Sequence, residues 1–168
     1  MLNLKVNSFA ITEFYNFDKV RFYTVQFTDI EFSETDRFIK RFESSDKYGE
    51  FLSDILSLIA QIGERGAQDY YFNRNENDFQ ALPNKEKARA AFQGENLRLY
   101  CLRLSNSIVV LFNGGVKDAP TAQESTCSIQ FYEAFAFTKR ISEALREGTI
   151  EINGNILVDY KGSTDIIL

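Results

Sequence analysis

The sequence contains no histidine and no tryptophan, and it has only two prolines and two cysteines. Without histidine the commonest general base is missing, and nucleophile systems that pair serine or cysteine with histidine are excluded. Two cysteines cannot complete a tetrahedral zinc site, so neither a metal nor another cofactor is expected. No apolar run reaches the roughly 18 residues of a transmembrane helix, so we expect no membrane segment.

The first residues, MLNLKVNSFAITEF, lack the basic region and the long apolar core of a signal peptide. A cytoplasmic location is therefore expected. Cys101 and Cys127 are predicted to be reduced structural thiols, with a disulfide between them as the alternative. Pro83 and Pro120 do not mark a linker, and no repeat is visible, so residues 1–168 are predicted to form a single domain.

The charge of the chain is acidic but uneven. Nineteen basic and 24 acidic side chains give a net charge of −5. Residues 65–117 carry eight basic and five acidic side chains, whereas 1–64 carry seven and eleven, and 118–168 carry four and eight. An acidic chain is not typical of nucleic-acid binding proteins, and only the middle third can present a positive face.

Alternating apolar residues in the N-terminal part predict strands over 4–11 and Val20–Phe27. The run Ser33-Glu34-Thr35-Asp36 has the spacing of a capping box and predicts a short helix that ends near Glu43. A cluster of carboxylates surrounds this helix start: Asp29, Glu31, Glu34 and Asp36. Helix capping and solvation explain these carboxylates better than a metal site does.

A second helix is predicted from Ser45, a candidate N-cap, because apolar residues recur every three or four positions as far as Ile62. Gly63 and Gly66 are predicted to end it. Two consecutive amphipathic helices with a short break indicate a helical hairpin.

The segment from 70 to 82 is predicted to be strand and loop, and Pro83–Phe92 a polar, helical insert. The run Leu97–Phe112 contains two β-rich stretches around a polar turn, which indicates an antiparallel hairpin. Gly114-Gly115 is predicted to end its second strand; phosphate binding is the alternative for this pair, although no P-loop pattern surrounds it.

Residues 130–146 have the periodicity of an amphipathic helix, and Gly148 is predicted to terminate it. Asn153-Gly154 indicates a hairpin close to the end of the chain. The order of elements predicts an α+β fold with a small twisted antiparallel sheet packed against a helical hairpin and a C-terminal helix.

The run LRLYCLRLSNSIVVLFNGGVKD, placed after a helical hairpin, resembles the RelE/ParE superfamily of toxins, and the HigB-like branch most. The resemblance covers about residues 20–148. It implies a RelE-like core, with an N-terminal strand extension and the 150–158 hairpin as additions to it.

Many members of that superfamily are ribosome-associated mRNA endonucleases that pair with an antitoxin, whereas others inhibit gyrase or have no assigned activity. The resemblance implies a toxin-like protein that cleaves mRNA, with an antitoxin as protein partner and mRNA or the ribosome as target. The alternative is a non-catalytic interaction domain that keeps the fold, which the acidic balance and the missing histidine favour.

The resemblance also implies a site. Its catalytic residues are Arg98, Tyr100, Arg103 and Lys117, and its substrate-binding residues are Arg74 and Asn113. Regular alternation along the strand places Tyr100 on the same face as Arg98, on a side of the sheet that we expect to be open.

Cleavage of RNA needs cations near the phosphate, a proton donor and a proton acceptor. The arginines and Lys117 are predicted to supply the cations. Tyr100 is predicted to act as the donor, or as a base if its pKa is depressed. The structural alternatives are solvated arginines paired with Glu95 or Asp78, and a semi-buried Tyr100 with a bonded hydroxyl.

Overall fold

The computed structural model describes residues 6–85 and 96–168. Of the predicted insert Pro83–Phe92, the part from 86 onward lies outside these ranges. The described helices are α1 (Glu34–Phe42), α2 (Gly49–Arg65) and α3 (Ser128–Glu147). The described strands are β1 (Phe9–Asn16), β2 (Arg21–Phe27), β3 (Asn75–Glu76), β4 (Phe79–Leu82), β5 (Asn96–Ser105), β6 (Ile108–Lys117), β7 (Ile150–Asn153), β8 (Ile156–Asp159) and β9 (Ile166–Ile167). None of the described helices is both long enough and apolar enough to span a bilayer.

Seven of the strands form one mixed sheet in the order β3-β4-β5-β6-β2-β1-β9. The α+β class is therefore confirmed, but a purely antiparallel sheet is wrong, because β2 and β6 pair in parallel, with Thr24 beside Leu111. The meander from β3 to β6 reverses the chain at each step, and this brings β6 into the sheet in the direction of β2.

The hairpin predicted over Leu97–Phe112 is confirmed as β5 and β6, and alternation assigns the two faces of β5. Leu97, Leu99 and Cys101 belong to the core beneath α1 and α2, with Phe38 and Ile59 among its helix residues. Tyr100 and Leu102 belong to a second core on the opposite face, which α3 covers. The α3 side of that core is lined by Phe131, Ala134, Phe137 and Ile141. Both faces of the sheet are thus covered, and the open face expected around Arg98 and Tyr100 is wrong.

Local capping signals set the helix ends in part. Ser33 Oγ accepts a hydrogen bond from Asp36 N at 3.1 Å, so the predicted N-cap of α1 is confirmed. Ser45 instead accepts from Tyr48 N at 3.0 Å in the turn before α2. Gly63 lies inside α2, where Phe17 packs against it, and Gly66 ends the helix.

A bulge interrupts the pairing of β5 with β6. Leu99 lies opposite Gly114, but Cys101 lies opposite Leu111, so β6 carries one additional residue between these pairs. A Cβ on Gly114 would lie 1.7 Å from the carbonyl oxygen of Arg98, which only glycine permits. The glycine pair therefore does not end the strand as predicted, since β6 continues to Lys117.

The C-terminal elements extend the core that α3 covers, to which Ile150, Leu157 and Ile166 belong. The predicted hairpin is confirmed as β7 and β8, in which Asn153 pairs with Ile156. It is fixed to the sheet by Leu157 N, which donates to Tyr23 Oη at 2.9 Å. The two-residue strand β9 then pairs with β1 at the sheet edge; it was not predicted, because two residues have no periodicity.

We expect Gly114→Ala to lower the free energy of unfolding by about 2 kcal/mol, because the new methyl group meets backbone and not a movable side chain. Urea unfolding followed by circular dichroism would measure this change. Gly49→Ala is the matched control, because a Cβ there has no contact closer than 4.0 Å. Equal stability of the two variants would contradict the bulge geometry.

Candidate functional site

Three basic side chains, Arg74, Arg98 and Lys117, lie together beside β3, β5 and β6, and we call them the cation cluster. Arg98 forms an ion pair with Glu76. Lys117 pairs with Asn96, two residues before Arg98, across the β5–β6 ladder. Burial lowers the pKa of Lys117, and the positive charges of Arg98 and Arg74 lower it further. The structure therefore brings together four of the six residues that the resemblance implied, because Tyr100 lies beside these three cations.

The two arginines of the cluster are almost completely buried. Arg74 is 9% exposed and Arg98 is 8% exposed. Burial, followed by the nearby charge of Arg98, lowers the pKa of Arg74 to about 10, although Glu76 opposes the shift. The ion-pair partner is Glu76 and not the predicted Asp78, which is exposed; Glu95 lies outside the described residues.

Some polar atoms in this region are buried without a hydrogen bond. Within 6–85 and 96–168, Arg74 Nη1, Arg98 Nε and Asn96 Oδ1 have no partner. A buried, unsatisfied polar atom costs roughly 1–3 kcal/mol, and more when the group is charged. Two unused donors on buried cations are therefore the feature of this region that fold stability alone does not account for.

The N-terminus of α3 lies against the same face of the sheet. A Cβ on Gly115, which is opposite Arg98, would lie 2.9 Å from Cys127 Cβ, and Cys127 is the N-cap of α3. The side chain of Cys127 makes no capping hydrogen bond, and the first turn of α3 contains no acidic residue. The N-terminal end of this 20-residue helix, which carries the positive end of the helix dipole, thus lies close to the cation cluster.

Tyr100 is placed on the Arg98 face, as alternation predicted, but its side chain is 0% exposed. Its ring packs edge-on against Phe79 and Phe131, with centroids 5.6 and 5.9 Å away. Its hydroxyl is 3.3 Å from Cys127 Sγ. Burial, followed by the neighbouring Cys127, raises the pKa of Tyr100, which is opposite to the shift that a catalytic base needs.

Arg103 lies on the other side of the sheet from Arg98. Its Nε donates to the carbonyl oxygen of Ala67 at 2.6 Å, and its guanidinium pairs with Asp69 at 3.1 Å. Five positions separate Arg103 from Arg98, and an odd separation in a strand changes the face. The structure therefore places Arg103 away from the cation cluster, and the alternation of β5 contained the signal for this separation.

Asn113 belongs to a second polar group on the α1 side of the bulge. Its Oδ1 accepts from Arg41 Nη2 at 3.0 Å and from Gly114 N at 2.8 Å. Its amide nitrogen is 3.5 Å from Glu34 Oε1. These bonds hold α1 to the bulge, so the structure gives Asn113 a supporting role at this position and separates it from the cation cluster.

The structure buries Glu34 and partly buries Glu133 in this second group, and neither burial was predicted. Glu34 is 0% exposed and pairs with Arg37 at 2.8 Å, so the expectation of a solvated acid is wrong. Burial, followed by the charge of Glu34, raises the pKa of Glu133 to about 7, against the effect of Arg37 and Arg41. Glu133 precedes the core residue Phe137 by four positions, and this helical spacing was the signal available in the sequence.

The described residues hold no group of three or more acidic or cysteine side chains placed to bind a metal ion. Cys101 and Cys127 are both free and buried. No protein-family model, no curated protein and no solved structure matches this chain. The kinship with RelE/ParE toxins therefore stays a prediction, and the site is interpreted from its geometry.

We expect the stability of the protein to depend on the ionisation of Glu133. Folding raises the pKa of Glu133, so the protonated side chain stabilises the folded protein fully below about pH 4.5. This stabilisation is lost as the pH rises through about 7. Glu133→Gln mimics the protonated form. Between pH 5 and pH 8, the free energy of unfolding of the wild type should fall by about 1 kcal/mol more than that of the variant. This figure allows for screening of the charges by solvent.

Urea unfolding of both proteins at the two pH values would measure this difference. Glu147→Gln, at an exposed position in the last turn of α3, is the control and should follow the wild type. A wild type and a Glu133→Gln variant with parallel pH profiles would contradict the assignment.

Proposed function

We propose that this protein binds RNA and that the cation cluster is its phosphate contact. The observation that carries the proposal is that three basic side chains lie together beside the N-terminus of α3. Among the described residues, a single carboxylate, Glu76, is paired with them. A ligand with negative charge is the class that such a group attracts.

The charge distribution of the chain supports the proposal. The net charge is −5, so most of the surface repels a polyanion. The cluster lies in the segment 65–117, which has an excess of basic over acidic side chains. A positive site within an acidic protein restricts how RNA approaches, and it makes binding sensitive to salt.

The resemblance to RelE/ParE toxins adds cleavage of ribosome-associated mRNA and an antitoxin partner, and both stay predictions. Beside the cation cluster, burial raises the pKa of the Tyr100 hydroxyl and of the Cys127 thiol. Neither is suited to accept a proton near neutral pH. The proposal therefore covers the binding of RNA, and cleavage needs its own assay.

The second candidate is a non-catalytic domain that binds a protein partner. The burial of Tyr100 favours it, because a phenol without exposed surface cannot reach a substrate unless α3 moves away. An acidic partner surface would use the same cations as RNA does, so the two candidates differ in ligand and not in site.

We expect Lys117→Ala to weaken the binding of a short single-stranded RNA about five- to tenfold at low salt. Because one phosphate contact is lost, the slope of log K against log salt should also fall by about 1. Fluorescence anisotropy across a salt series would measure both. Lys139→Ala is the matched control: Lys139 is exposed and lies eleven residues after Ser128 on α3, roughly 16 Å along the helix axis.

Wild-type protein that binds no RNA, or a Lys117→Ala variant that binds it as tightly as the control does, would remove the proposal.

The cleavage assay compares growth and ribosome-bound mRNA in cells that express the protein with and without the product of the neighbouring gene. We expect Tyr100→Phe to reproduce the wild-type outcome, because the ring packing is retained and the hydroxyl is buried. An mRNA cut by the wild type but left intact by Tyr100→Phe would restore Tyr100 as a catalytic residue. Intact mRNA and normal growth with the wild type would favour the interaction domain.

A further inference from the structure

We infer that the cation cluster and the N-terminus of α3 form a recessed site for a terminal phosphate group of RNA, and not for the phosphates within the chain. The inference rests on the proposed function and narrows its ligand to the phosphomonoester at one end of an RNA. Three observations carry it: the depth of the arginines, the balance of charge, and the donors left unused.

The depth of the site selects the end of a chain. Arg74 and Arg98 are each more than nine-tenths buried. An internal phosphate carries a sugar on both sides, so the whole strand would have to enter the recess for that phosphate to reach these guanidinium groups. A terminal phosphate carries only one sugar and can enter alone. Lys117 is only partly buried, so it is placed to meet the phosphate or sugar that follows.

The charge of the site matches a phosphomonoester. Three cations and one carboxylate leave two positive charges within the described part of the site. A phosphomonoester carries a charge of about −1.5 to −2 at neutral pH, whereas an internal phosphodiester carries only one negative charge. The terminal group therefore neutralises the cluster more completely.

The unused donors match the oxygens of such a group. Arg74 Nη1 and Arg98 Nε are buried and lack a partner within the described ranges. At the start of α3, Ser128 N is bonded to Ser125 O at 3.1 Å, and Phe131 N begins the helical pattern on Cys127 O at 3.0 Å. The amides of Ile129 and Gln130 belong to the first turn of α3, where backbone N–H groups have no partner within the helix, and the side chain of Cys127 does not cap them.

The surroundings of the site do not compete with an anion. Gly115, opposite Arg98, has no side chain, which lets Cys127 at the start of α3 pack closely against the sheet. Tyr100 Oη and Cys127 Sγ are hydrogen-bonded to each other at 3.3 Å, and both side chains are uncharged. Glu76 is the one described carboxylate paired with the cluster, and it is held by Arg98.

The test uses one RNA octamer in three forms: with a 5′-phosphate, with a 3′-phosphate, and with hydroxyl groups at both ends. We expect one of the two phosphorylated forms to bind wild-type protein at least tenfold more tightly than the hydroxyl form. Arg74→Met keeps the length of the side chain and removes its charge, and it should bind all three forms with the affinity that the wild type has for the hydroxyl form. Lys139→Ala should keep the preference.

A stability measurement distinguishes a ligand contact from a structural role. Without ligand, Arg74→Met should melt at the wild-type temperature or above it, because the buried charge lacks a hydrogen bond at Nη1. Inorganic phosphate should raise the melting temperature of the wild type more than that of Arg74→Met. An Arg74→Met variant that unfolds at a clearly lower temperature, or an equal response of both proteins to phosphate, would overturn the inference.

The outcomes separate this inference from the proposed function. If the wild type binds all three octamers equally, the terminal-phosphate site is wrong and the proposal of RNA binding stands. If it binds no octamer but inorganic phosphate still stabilises it through Arg74, RNA is the wrong ligand and the phosphate site stands. If neither RNA nor phosphate binds, both are wrong.

Discussion

The site depends on the close approach of Gly114 to the carbonyl oxygen of Arg98. This contact accompanies the bulge in β6, and the additional residue shifts every later side chain of the strand to the opposite face. Gly115 and Lys117 thereby come to lie on the α3 face with Arg98. Without the bulge, Lys117 would lie beneath α1 and α2. With the bulge present, a side chain in place of Gly115 would hold α3 away from the sheet.

The second constraint is that helices cover both faces of the sheet. Hydrophobic burial on each side is what stabilises such a three-layer arrangement, and it also takes the arginines of β5 and its neighbours out of water. Arg98 is compensated by Glu76, but Arg74 Nη1 and Arg98 Nε are not compensated within the described residues. Buried polar groups with incomplete partners are expected where a protein retains them for binding.

The two polar groups on either side of the bulge differ in their charge balance. Around Asn113, the carboxylates Glu34 and Glu133 face Arg37 and Arg41, so the charges nearly cancel. Their hydrogen bonds fasten α1 to β6. The cation cluster on the α3 side has no such balance. We therefore interpret the first group as structural support and the second as the place where a ligand supplies the missing charge.

Local patterns were enough for much of the fold. Helical spacing predicted α1 to α3, alternation predicted β2 and the β5–β6 hairpin, and the capping bond of Ser33 is present as expected. Each of these signals comes from neighbouring residues along the chain. The strand β9 was missed because its two residues form a strand only when β1 lies beside them.

The site was predictable only in part, because sequence patterns report on neighbouring residues and not on contacts between distant ones. The face that each β5 side chain occupies follows from its position, so Arg98 and Tyr100 were correctly paired and Arg103 belonged elsewhere. What lies above that face is decided by the tertiary structure. The placement of α3 buries Tyr100, the bulge turns Lys117 toward Arg98, and neither event leaves a periodic trace in the sequence, because both arise from contacts between residues far apart in the chain.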